Sequence, residues 1–231
     1  MRAAAPLAVA ATLSLLAGVV QAQAPSASVQ RVGDAIVFQG RIDRAAADEF
    51  LRLAADPAVR RLVVRSQGGL VTPALEMADA IFDRGLDVEV DGICHSSCAN
   101  YLFPAGRHKL LSDPAAVAWH GNMAHVLYRA QRGEEKWSEE ELAQARLLAR
   151  REDAFYRRIG VDGFVTWFGK IAPYDIAESY ALSPTDMAGF GITDVSVRDP
   201  AAPPASPEVS MLQHVDWERI RATRPRVDLD K

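Results

Sequence analysis

The chain repeats one pattern, a short β-branched run, a turn, and apolar residues at helical spacing, and that pattern restricts its architecture most. Residues 61–65 (RLVVR) are such a run, and Ser66-Gln67-Gly68-Gly69 is the turn. Thr72 followed by Pro73 then offers an N-cap with proline at the first helical position, ahead of Ala74, Leu75, Ala78, Ile81 and Phe82. Earlier, residues 35–38 (AIVF) read as a strand, and Asp43 as the N-cap of a helix to about Ala55. Later, residues 86–90 (LDVEV) form the next strand, ending at Gly92, and further strand-like pieces stand at 109–111 (KLL), 116–119 (AVAW) and 192–195 (ITDV). Strands alternating with helices at this spacing predict an α/β domain. With 231 residues, 49% of them hydrophobic, one full core can form, so stability does not have to rest on the two cysteines.

The start of the chain reads as a cleavable export signal. Arg2 precedes an Ala-rich apolar run from Ala3 to Val20, and small residues follow at Ala22 and Ala24. Pro6, Thr12, Ser14 and Gly18 interrupt the run, and no stop-transfer charges follow, which speaks against a membrane anchor. No other apolar run is long enough to span a bilayer, so the mature chain is expected in the periplasm. The 30 acidic residues outnumber the 26 lysines and arginines, with no basic cluster interleaved with aromatics; no nucleic-acid partner is expected. Ser138-Glu139-Glu140-Glu141 is a capping box opening a long charged helix to about Arg158, expected to be solvated and to pack by one narrow apolar face. Residues 199–208 (DPAAPPASPE) read as a linker, and the polar tail beyond them, with Met211, Leu212, Val215, Trp217 and Ile220 as anchors, reads as peripheral.

Residues 91–106 (DGICHSSCANYLFPAG) concentrate the chemistry. Cys94 and Cys98 are four apart; in a helix their Cα atoms would lie about 6 Å apart, within disulfide reach, and an exported chain with two cysteines favours pairing them. Zinc ligation by Cys94, Cys98 and His95 or His120 is a weaker reading, because no second ligand pair is present. A serine at the strand-to-helix turn would face helix N-terminal N–H groups suited to a developing oxyanion. The glycines of the 66–69 turn allow close approach to the backbone, and His120, at the end of the 116–119 strand, is the candidate base. Singly, each of these has a plain structural reading: an N-cap, a turn, a satisfied histidine.

Their order resembles the proteolytic subunit of the Clp protease and its relatives in the Clp/crotonase superfamily. That family's Ser-Pro-Gly-Gly turn reads here Ser66-Gln67-Gly68-Gly69. Its nucleophile segment closing on Ala-Gly reads His95-Ser96-Ser97-Cys98-Ala99 through Ala105-Gly106, and its catalytic-histidine strand reads Val117-Ala118-Trp119-His120-Gly121. Counting back from Ala105-Gly106 places the nucleophile on Ser97, with backbone N–H donors at Gly68 or Gly69 and at Cys98. The charged helix falls where the family has its handle helix. The stretch from Leu182-Ser183-Pro184-Thr185-Asp186 through Gly189 to Asp194 resembles the closing segment. The likeness covers residues 30–196, between a leader at 1–24 and a linker and tail at 197–231.

The chain also departs from the family. Ser179 stands where the family has its triad aspartate, with Asp175 and Glu178 nearby; Asn100 and Tyr101 replace small residues after the nucleophile; and the Cys94–Cys98 bridge would sit around Ser97. The resemblance implies a Clp/crotonase superhelix of strand-strand-helix units and an exported, ATP-independent serine peptidase acting on peptides or unfolded segments. It calls for Ser97 and His120 in catalysis, no cofactor or metal, and a homo-oligomer. Ser179 also admits an inactive binding or scaffold module. Further alternatives are a crotonase-type thioester enzyme needing coenzyme A, and a serine–lysine enzyme with Lys109 or Lys170 as base.

Overall fold

The computed structural model describes residues 27–112, 115–198, 209–212 and 214–229; the expected leader and the 199–208 linker lie outside them. The chain is mixed α/β. Its main sheet holds β1 (Ser28–Val32), β2 (Ala35–Gln39), β3 (Arg61–Ser66), β4 (Asp87–His95), β5 (Lys109–Leu111), β6 (Ala116–Ala118) and β8 (Val195–Val197). The order is β1-β2-β3-β4-β5-β8, with β6 also on β4, and every pairing is parallel except β1 with β2. Alternation along the strands explains the register. Ile36, Leu62 and Val88 line up across three strands, as do Phe38, Val64 and Val90, and all six are fully buried. Burying a side chain of this size contributes about 1.5–3 kcal/mol.

β4 changes partners along its length. Val88–Val90 pair with β5, whereas Ile93–His95 pair with β6. Between the two halves the β3–β4 register slips, Val64 facing Val90 but Ser66 facing Cys94, so the chain bulges around Gly92. That bulge brings the end of β4 beside the end of β6, and hence His95 and Ser96 beside His120.

The helices are α1 (Arg44–Ala54), α2 (Val71–Arg84), a π-helix (Cys98–Leu102) running into α3 (Phe103–Ala105), α4 (Met123–Gln131) and α5 (Glu139–Ile159). Asp43 caps α1 through Ala46 N–H, and Ser138 with Glu141 forms the expected capping box of α5. α5 packs against α2 and α4 by a stripe of Ala145, Ala149, Phe155 and Tyr156. The N-cap of α2 is Leu70, two residues before the expected Thr72: Leu70 N–H bonds the Ile42 carbonyl, so the chain turns into helix directly afterwards. Pro73 then sits within the first turn, where its missing N–H costs nothing. The expected 192–195 strand begins only at Val195, because Ile192 N–H closes α6 (Pro184–Gly189) on the Met187 carbonyl.

The tail is not peripheral. β9 (Val209–Leu212) pairs in parallel with β7 (Ser179–Leu182), and α7 (Trp217–Thr223) buries Ile220. Trp217 packs on Phe190 with ring centroids 4.5 Å apart. The buried Asp186 carboxylate accepts from the N–H groups of His214 and Val215 and from the Ser183 hydroxyl. No helix among the described residues is long and apolar enough to cross a membrane. Asp186→Ala should cost about 2 kcal/mol in urea unfolding and speed amide exchange across residues 209–220. Unchanged exchange there would show that the carboxylate does not hold the tail.

Candidate active site

Two turns, after β3 and after β4, meet at the end of β6. The first is the Gly68-Gly69 turn after β3. Gly68 has φ +88°, and a Cβ on it would lie 2.7 Å from Ser96 Cβ and 2.8 Å from Ser97 N, so no other residue fits against the serine turn. Gly69 presses on Ile42 in the same way, a Cβ there falling 2.0 Å from the Ile42 carbonyl oxygen. Hydrogen bonds pin both glycines: Ile42 N–H donates to Gly68 O at 2.9 Å, and the Ser97 hydroxyl donates to Gly69 O at 2.8 Å.

The second turn carries the two serines. Ser96 N–H donates to Ala118 O at 3.2 Å, extending the β4–β6 ladder by one residue, and Ser96 itself adopts φ +56°. A left-handed conformation costs a non-glycine residue about 1–2 kcal/mol. Here it aims the Ser96 Oγ at His120, 2.7 Å from Nε2. Ser97 points inward instead, 3% exposed, with its hydroxyl on Gly69. The serine beside the candidate base is therefore Ser96, not Ser97. The physical reason is the π-helix at Cys98–Leu102. It holds about one more residue in its turn than an α-helix does, which shifts by one the serine that faces the histidine relative to a chain that stays α-helical before Ala105-Gly106.

Cys94 and Cys98 form the disulfide, with Cα atoms 5.2 Å apart; the bridge spans the end of β4 and the first residue of the π-helix rather than a regular helical turn. It closes over His95, Ser96 and Ser97 and leaves neither cysteine for a metal. Among the described residues no group of three or more His, Cys, Asp or Glu side chains is placed to hold one.

Of the expected oxyanion donors, Gly68 N–H is already given to Ser66 Oγ at 3.0 Å. The N–H groups of Gly69, Ser97 and Cys98 have no protein acceptor among the described residues. Ser179 takes part, but through the other histidine: its hydroxyl lies 2.8 Å from His95 Nε2. The Trp119–Tyr180 bridge between β6 and β7 brings Ser179 to the site. Neither Asp175 nor Glu178 bonds an imidazole; the Glu178 and Ala177 carbonyls accept from Lys170 Nζ at 2.7 and 2.6 Å. Lys109 lies elsewhere, buried on β5 with its ammonium on the Thr193 carbonyl at 2.9 Å.

His95 and His120 are in ring contact, centroids 4.9 Å apart and tilted by 38°. Burial, and then the neighbouring His120, lower the His95 pKa to about 4. Burial lowers that of His120 as well, with the Lys170 ammonium adding to the effect. Both rings are neutral near pH 7, which leaves His120 able to accept a proton. His125, Tyr128, Arg129, Lys170 and Asp175 line a cleft of about 420 Å³. The sequence offered His95 only as a metal ligand, and its register put the candidate nucleophile on Ser97, the serine that turns inward. A positive φ and a π turn leave no mark in a residue pattern.

No protein-family model matches the chain, and no curated protein matches it at a significant level.

The Lys170 charge disfavours the imidazolium of His120, so removing it should raise the His120 pKa toward the ordinary 6.5. In Lys170→Met, the His120 ring should protonate at higher pH than in the unaltered protein, read by NMR titration of its ring protons. A pKa that stays put or falls would remove Lys170 from this account.

Proposed function

We propose that the protein is an exported serine peptidase of the Clp/crotonase type, working through a Ser96–His120 pair. The observation that carries this reading is the strained Ser96 at the strand-to-helix turn, its Oγ 2.7 Å from a neutral His120. His120 Nε2 takes the Ser96 proton as Oγ attacks the scissile carbonyl carbon. The carbonyl oxygen, now anionic, is received by the N–H groups of Gly69 and Ser97. They take the place of the Gly68 and Cys98 donors because the first is bonded within its turn and the second belongs to the register with Ser97 as nucleophile. The imidazolium then returns the proton to the leaving amine, and water releases the acyl group by the same steps in reverse. Ser97, through Gly69 O, holds the donor turn in place.

His120 has no carboxylate partner among the described residues, so its tautomer is held less firmly than in a full triad and the reaction is slower. The periplasm suits the disulfide, and a compartment without ATP restricts substrates to peptides or unfolded segments. The resemblance further suggests a homo-oligomer. The alternative, a binding module without activity, is favoured by one observation: Ser179 bonds His95 where an acid on His120 would be needed.

A fluorophosphonate probe on the mature protein tests this, with Ser96→Ala, Ser97→Ala and His120→Ala alongside. Labelling should map to Ser96, vanish in Ser96→Ala, slow by about 100-fold or more in His120→Ala, and persist at a reduced rate in Ser97→Ala. Labelling at Ser97 would restore the counted register. No labelling of a folded, disulfide-intact sample would leave the binding module.

A further inference from the structure

Behind the serine turn lies a buried polar cluster that no step of the proposed reaction uses. Glu152, within the inward stripe of α5, is 1% exposed. Its carboxylate accepts from the Tyr101 hydroxyl and from the N–H groups of Met123, at 3.1 Å, and Ala124. Tyr101 lies on the π-helix, five residues after Ser96; Met123 opens α4, three residues after His120. One carboxylate therefore ties the chain leaving the serine to the chain leaving the histidine. Two further bonds run beside it. Asn100 Nδ2 donates to Gly121 O at 2.9 Å, and the Tyr156 hydroxyl donates to Asn100 O at 3.1 Å.

A buried carboxylate is a poor way to gain stability, since desolvation offsets most of what its bonds return, and an apolar group of similar volume often serves as well. What it supplies is direction: three donors converging on one group fix the separation of the segments that carry them. We propose that Glu152 is a positioning residue that sets the distance between Ser96 and His120 by binding Tyr101 and the first turn of α4 together. This rests on the Ser96–His120 reading above, and it places the missing acid's task behind the backbone instead of on the imidazole.

The clamp has a titration of its own. Burial raises the Glu152 carboxyl to about 7, against the bonds from Tyr101, Met123 and Ala124 that favour its charged form. The groups facing it are Tyr101 from the π-helix and Tyr156 from α5, both held neutral by burial. Asp153, Arg221, Arg224 and Arg226 line, with Glu152, a cleft of about 670 Å³ behind it. As pH falls through the Glu152 pKa, one oxygen becomes a donor and the clamp loosens.

Tyr101→Phe and Glu152→Gln, each in the full mature chain, test the proposal by three readouts: circular dichroism, fluorophosphonate labelling of Ser96 against pH and probe concentration, and the NMR titration of His120. In folded variants the maximal labelling rate should drop about tenfold or more with the half-saturating probe concentration unchanged. The step near pH 7 should disappear in Glu152→Gln. Rates and pH profiles equal to those of the unaltered protein would overturn the clamp. Should the unaltered protein show no labelling, the peptidase reading fails by itself, and the His120 resonances decide the clamp: shifted in both variants they support it, unchanged they refute it. Where Glu152→Gln does not fold, Tyr101→Phe, which removes one hydroxyl, carries the test.

Discussion

β4 belongs to two ladders, and the site depends on that division. Its first half is held between β3 and β5 by fully buried Val88 and Val90, while its second half, beyond the bulge at Gly92, pairs with β6. A strand running straight with β5 would end away from His120. The bulge costs ladder hydrogen bonds, and the surrounding parallel sheet, buried along its central rows, absorbs that loss.

Each strained or costly feature at the end of β4 is held by a neighbour. Ser96 keeps φ +56° because its N–H is fixed to Ala118, Gly68 presses against it, and the Cys94–Cys98 bridge closes over it. Burial lowers the pKa of both imidazoles in ring contact, with His120 adding to the effect on His95 and Lys170 to that on His120, so both rings are neutral near pH 7. The buried Glu152 on the far side is the same kind of feature, a group unfavourable by itself that becomes useful through the segments it joins. Strain and buried charge at one place mark a site that the fold stabilises from outside.

Much of the α/β layout was legible because it rests on local rules. RLVVR and AIVF read as strands, Asp43 as a cap and Ser138 through Glu141 as a capping box, and each stands close to where it was expected. The departures came from tertiary partners. Leu70 was taken by Ile42, Ile192 by α6, and the polar tail by Asp186 and β7, none of which a window of residues contains. At the site, the two cysteines, His120 and the Gly68-Gly69 turn were legible by type and order. Which of the adjacent serines faces His120 was not, since it depends on how the following turn is wound.

The most direct measurement is a crystal structure of the mature protein with a peptide boronic acid. The account expects boron bonded to Ser96 Oγ, one boronate oxygen within hydrogen-bond distance of the Gly69 and Ser97 N–H groups, and His120 Nε2 facing the adduct. Boron on Ser97, or a site that leaves the boronate unbound with the Cys94–Cys98 bridge intact, would contradict it.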